Sequence, residues 1–109
     1  MWIASENGFF SIVKHNGDPE KWLIRARAFK DLSGAFPEER IKVIDQADYR
    51  FRVEVTRQEL TSFLLDQGDI DYTNFKNHVA ATSQRDKLPY YSKIWGIMYD
   101  YQREAGEGQ

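Results

Sequence analysis

Four arginines on the polar side of two alternating segments are the residues of this chain whose type and spacing come nearest to chemistry. Tyr49-Arg50-Phe51-Arg52-Val53-Glu54-Val55 alternates large apolar and charged side chains, as a half-buried strand requires, because successive side chains point to opposite faces. Tyr49, Phe51, Val53 and Val55 are thereby assigned to a core, and Arg50, Arg52 and Glu54 to the opposite face. In Trp22 to Phe29, Ile24, Ala26 and Ala28 fall on one side and Arg25 and Arg27 on the other. If both strands share a sheet, Arg25, Arg27, Arg50 and Arg52 form a cationic face, joined by Trp2 and Phe9 from the N-terminal segment. Such a face can hold a nucleotide or single-stranded RNA, with bases stacked on rings or guanidinium planes and phosphates beside the cations. It can equally meet a protein, or remain a solvated face whose arginines pair with Glu6 and Glu54. An RNP-type glycine-aromatic motif does not accompany it.

A second surface is written into the last helical segment. Tyr90, Tyr91, Trp95, Tyr99 and Tyr101 spread around most of its circumference, more aromatic surface than one core stripe needs. Tyrosine and tryptophan are favoured interface anchors, so Tyr90, Trp95 and Tyr99 are candidate contacts for a protein partner or a homodimer, with plain core packing as the alternative. Signals for catalysis are weaker. His15 and His78 have no ligand-spaced neighbour, and Asp66, Asp69 and Asp71 do not fit a calcium loop and read as helix-end chemistry. The sequence holds no cysteine, phosphate loop, G-x-S-x-G elbow or H-E-x-x-H helix, so no cofactor, metal or catalytic set is expected.

The elements that would carry these residues follow from local patterns. Asn7-Gly8 predicts a type I′ hairpin over residues 2 to 14, pairing Glu6 with Phe9, Ser5 with Phe10, Ile3 with Ile12 and Trp2 with Val13. Ile3, Phe10 and Ile12 then share one face, and Trp2, Ala4, Phe9 and Val13 the other. His15 to Pro19 is a loop, 22–29 a third strand, and 30–36 a short helix limited by Gly34 and Pro37. Residues 38–46 suit either a short strand around Ile41, Val43 and Ile44 or a helix start at Pro37-Glu38-Glu39. After the fourth strand, 49–55, Thr56-Arg57-Gln58-Glu59 forms a capping box for a helix over 57–66, with Leu60, Phe63 and Leu64 as its stripe and Gly68 ending it at positive φ. Another helix opens within 69–73, capped by Asp71 or Thr73, and runs past Phe75, Val79 and Ala80 toward Thr82. Ser83 to Asp86 is a polar break. The last helix starts at Leu88-Pro89 and lines up Leu88, Tyr91, Ile94, Trp95, Met98 and Tyr101 as an apolar stripe.

These elements predict one α+β domain over residues 1–104 with a flexible tail, 105–109. Its sheet is mainly antiparallel with four or five strands, led by the hairpin and covered on one face by C-terminal helices, in a ferredoxin-like or related two-layer sandwich. At 109 residues with 15% aromatics the chain can bury a core, and a formal charge of −2 removes any whole-molecule attraction to phosphate. The absence of cysteine and of a leader-like or membrane-spanning apolar run predicts a cytoplasmic protein with no membrane association.

Met1-Trp2-Ile3, Gly8-Phe9-Phe10-Ser11-Ile12-Val13, Ile24-Arg25-Ala26-Arg27, Ala47-Asp48-Tyr49-Arg50-Phe51-Arg52, Ile70-Asp71-Tyr72 with Asn74-Phe75-Lys76, and Asp86 to Tyr91 followed by Ile94-Trp95 together resemble a family of small uncharacterised bacterial proteins. The resemblance spans nearly the whole chain. It implies a stand-alone intracellular domain and brings no activity, substrate or cofactor; a phage or mobile-element origin is compatible with it. The functional expectation is a small non-enzymatic binding module, an inhibitor or adaptor acting on a protein partner. The alternative is nucleotide or single-stranded RNA binding through the arginine face.

Overall fold

The first turn falls one position earlier than Asn7-Gly8 predicts. In the computed structural model, which describes residues 1–69 and 75–106, β1 (Trp2–Ser5) pairs with β2 (Gly8–Lys14) so that Ser5 faces Gly8 and Ile3 faces Phe10. Glu6 and Asn7 are therefore the turn residues. The Ser5 hydroxyl accepts from the Asn7 N–H at 3.1 Å and donates to Gln67 Oε1 at 2.6 Å, so a contact distant in sequence holds this turn. The register differs from the predicted one by two residues, an even slip, and the faces survive it because side chains alternate with a period of two.

The sheet continues through β3 (Lys21–Ala26), β4 (Lys42–Val43) and β5 (Phe51–Thr56), in the spatial order β1-β2-β3-β5-β4 with every pair antiparallel. This is a meander with one short strand added at the edge, the related sandwich rather than the ferredoxin-like strand order. Between β3 and β4 lie α1 (Phe29–Ser33) and a 3₁₀ turn over Glu38–Arg40, so the 38–46 segment holds both of its predicted alternatives in succession. α2 (Arg57–Gly68) follows β5 directly. Gly68 is its last residue and not a left-handed cap: Gly8 and Gly106 are the described glycines with positive φ.

α1 and α2 pack on one sheet face. Phe10, Ile12, Ile24, Ala26, Val53 and Val55 point there, buried with Leu32 and Phe63, and the Phe63 ring meets Phe10 edge-on at 4.9 Å and Phe36 in a stack at 5.9 Å. Tyr49 departs from its assignment. It is buried, but it precedes β5 and lies on the opposite face, because Arg25 and Arg27 hold its ring.

Both halves of the predicted capping box form: Glu59 N–H donates to Thr56 Oγ1 at 3.2 Å, and Thr56 N–H to Glu59 Oε1 at 3.0 Å. The same carboxylate takes two bonds from the Arg40 guanidinium, at 2.5 and 3.1 Å. Arg40, and next the Thr56 N–H, hold the Glu59 carboxyl down at about 2 from an ordinary 4.5. A lowered carboxylate stabilises the fold fully above its unfolded pKa, and that contribution disappears as pH falls from 4.5 through about 2. Denaturant midpoints should therefore fall over that window, and Glu59→Gln should flatten the fall. At neutral pH Thr56→Ala should cost about 1 kcal/mol and Thr56→Ser almost nothing.

The chain divides into two compact units, Met1–Tyr72 and Thr73–Gln109. In the second, α3 (Phe75–Ala81) and α4 (Leu88–Glu104) are joined through a 3₁₀ turn, Arg85–Lys87. Phe75 stacks on Tyr91 at 6.0 Å, Val79 is buried, and Gln84 Oε1 accepts from Lys87 Nζ at 2.5 Å. The predicted caps Asp71 and Thr73 lie outside the described residues, as does tail segment 107–109. α4 ends as Ala105 N–H returns to the Tyr101 carbonyl and Gly106 adopts φ 77°, the left-handed stop that glycine permits.

Candidate binding surfaces

The sheet face away from α1 and α2 carries one row of residues across all five strands: Trp2, Ser11, Arg25, Arg52 and Lys42. Arg25 and Arg52 stand directly opposite each other on β3 and β5. Arg25 Nη2 donates to Ser11 Oγ at 2.8 Å and Arg52 Nη2 to the Tyr49 carbonyl at 3.0 Å. Their Nε atoms are shielded from solvent and meet no acceptor among the described residues. The Tyr49 ring takes the Arg25 and Arg27 guanidiniums at 4.7 and 4.2 Å, which places part of the predicted cationic face beneath the loop preceding β5.

Arg27 and Arg50 lie just beyond the strand ends, each bound to a carboxylate of that loop, Arg27 to Asp48 at 2.8 Å and Arg50 to Asp45 at 2.9 Å. The hydrogen bond from Arg27 holds Asp48 below the usual carboxylate range. Glu54 pairs with His15 Nε2 at 2.7 Å, and His15 Nδ1 accepts the Gly17 and Asp18 N–H groups, so Nε2 carries the donated proton. The structure thus gathers Arg25, Arg27 and Arg52 on Tyr49, with Ser11 and Asp48 beside them, and leaves Arg50 on Asp45. Phe9 is half-buried on this face beside Ala4, and Trp2 is 75% exposed at its edge. Sequence reasoning missed the two aspartates, although both fall within five residues of Arg50.

Beside this face a cleft of about 300 Å³ is lined by Lys21, Arg40, Lys42, Glu54, Val55, Thr56 and Glu59. Its charges are largely spent on one another, through Arg40 with Glu59 and Lys42 with Glu54 at 3.7 Å.

α4 is different in kind. None of its seventeen residues is buried, although a helix this long gains most of its stability from covering an apolar face. Tyr90 and Trp95 are each 65% exposed, and Ile94, Ile97, Met98, Tyr99 and Tyr101 are exposed with them. Of the predicted stripe, Leu88 and Tyr91 are half-buried, Tyr91 against Phe75, and Ile94, Trp95, Met98 and Tyr101 are open surface. Trp95 and Tyr99, one turn apart, stack with ring centres at 5.3 Å and planes 4° from parallel. Two large rings are thereby held in one orientation before any contact is made.

Comparison with known proteins adds no identity to these surfaces: no family model, curated protein or solved structure matches the chain. No helix among the described residues is long and apolar enough to cross a membrane.

Proposed function

We propose that this protein is a small binding module, an adaptor or inhibitor, that engages a protein partner through α4, with the Trp95–Tyr99 stack as its anchor. The observation that carries the reading is that stack: two exposed, pre-oriented aromatic side chains on a helix with no buried residue. Rings ordered in advance lose little conformational freedom on binding, and tryptophan and tyrosine dominate interface hot spots. The arginine face supports nucleic-acid binding less well. Arg27 and Arg50 already hold carboxylates, and Arg25 and Arg52 are engaged by Ser11 and Tyr49.

With a partner recovered from cells, Trp95→Ala combined with Tyr99→Ala should weaken binding by about 30-fold or more. Arg27→Glu combined with Arg50→Glu should leave it within about twofold, since solvent-exposed ion pairs contribute little. The reverse ranking, with affinity falling steeply as salt rises, would reject the α4 reading in favour of phosphate contacts on the sheet.

A further inference from the structure

A second seam runs along α4, away from the Trp95–Tyr99 stack. Tyr90, Ile94, Ile97 and Tyr101 recur at spacings of four, three and four residues, the heptad pattern of a helix that packs along its length against another helix. At 100° per residue the four lie within an arc of about 60°, and Trp95 and Tyr99 lie roughly 150° around from its centre. All four seam residues are exposed, by 42% to 65%, as is the flanking Met98. On the other flank stand Lys93 and Asp100, seven residues apart. Lys93 sits 5.9 Å from the Tyr90 ring, and neither residue makes an ion pair among the described residues.

We propose that this seam pairs α4 with α4 of a second copy of the chain, antiparallel, about a two-fold axis passing between Trp95 and Gly96. The seam is a palindrome, Tyr-Ile-Ile-Tyr, and only the antiparallel arrangement uses it as one. Ile94 then faces the second copy's Ile97, and Tyr90 faces the second copy's Tyr101. In that register the flanking positions oppose as well: Lys93 meets the second copy's Asp100, and Asp100 meets the second copy's Lys93, giving two ion pairs from one sequence. A parallel pair would set Lys93 beside Met98 and leave both charges unmatched. Opposed helix dipoles add to the preference. Charge complementarity therefore selects another copy of the same helix as the occupant. The five apolar residues offer on the order of 600 Å² per copy, somewhat under the roughly 800 Å² per partner of a standard interface, so the dimer is reversible and concentration-dependent. The Trp95–Tyr99 stack stays on the outside of such a pair.

Sedimentation equilibrium of the whole chain from about 10 μM to about 1 mM should show the mass rising from 12.8 kDa toward twice that value. Lys93→Glu alone and Asp100→Lys alone should each weaken the dimer by about tenfold, because each places like charges opposite one another. The two together should restore the wild-type constant. Circular dichroism of each variant fixes the folded fraction, and Ser92→Glu, on the side of the helix away from the seam, serves as a folded control that should dimerise normally. A monomer throughout the range overturns the proposal. So does a dimer whose constant ignores both single charge changes, or one in which the charge exchange fails to rescue; loss of the anchor at Trp95 and Tyr99 would leave the dimer intact.

Discussion

Phe10→Ala is expected to remove about 3–5 kcal/mol of stability, the largest loss for a single side chain on the sheet. Phe10 is fully buried on β2, an inner strand, pairs across the sheet with Ile3 and Ala26, and takes the Phe63 ring edge-on at 4.9 Å. Truncation leaves a cavity between β2 and α2, and the surrounding sheet, hydrogen-bonded on both sides of β2, cannot collapse into it. Its neighbour Phe9 points to the other face and is half-buried. Phe9→Ala should therefore cost well under half as much, about 1–2 kcal/mol. Chemical denaturation of the two variants measures the difference, and equal losses would contradict the placement of Phe10 and Phe9 on opposite faces of β2.

Gly8→Ala is expected to cost about 2–4 kcal/mol, from two sources at one atom. Gly8 has φ 151°, a conformation that side chains disfavour, and a Cβ there would lie 2.7 and 2.8 Å from Cγ and Cβ of Asp31, a buried carboxylate that receives the Phe9 N–H at 3.2 Å. Asp31 cannot retreat without leaving that bond. At Gly17 an added Cβ would meet only His15, at an ordinary 3.7 Å, so Gly17→Ala should change stability by less than about 1 kcal/mol. In an Asp31→Ala background the contact with Cγ is gone while those with Cβ of residue 31 at 2.8 Å and Phe10 Cζ at 3.0 Å remain, so the penalty for Gly8→Ala should shrink without vanishing, a coupling that a double-mutant cycle reads directly.

Where local chemistry determined an element, the sequence showed it. The capping box at Thr56 and Glu59, the short helix stopped before Pro37, the proline-led start of α4 and the alternation of Phe51, Val53 and Val55 against Arg52 and Glu54 all depend on neighbours within a few residues. What misled lay in contacts distant along the chain. Asn7-Gly8 is a strong turn signal, yet Gln67 of α2 reaches Ser5 and places the turn at Glu6-Asn7, with Gly8 kept for its closeness to Asp31. Tyr49 follows the apolar period of its strand, but the pairing stops at Phe51, which frees its ring to turn under Arg25 and Arg27. The arginine face was legible as a set of positions. That Asp45 and Asp48 would answer Arg50 and Arg27 was not, because a loop's path does not follow from a strand's periodicity. On α4 the composition showed more aromatic surface than a stripe can bury, and burial decided the matter.

Photo-crosslinking compares the two surfaces in one experiment. With p-benzoylphenylalanine in place of Tyr99 on α4, or in place of Trp2 at the edge of the arginine face, irradiation in cells should yield discrete protein adducts from position 99 and none from position 2. Adducts confined to position 2, or to nucleic acid there, would contradict α4 as the surface through which this protein acts.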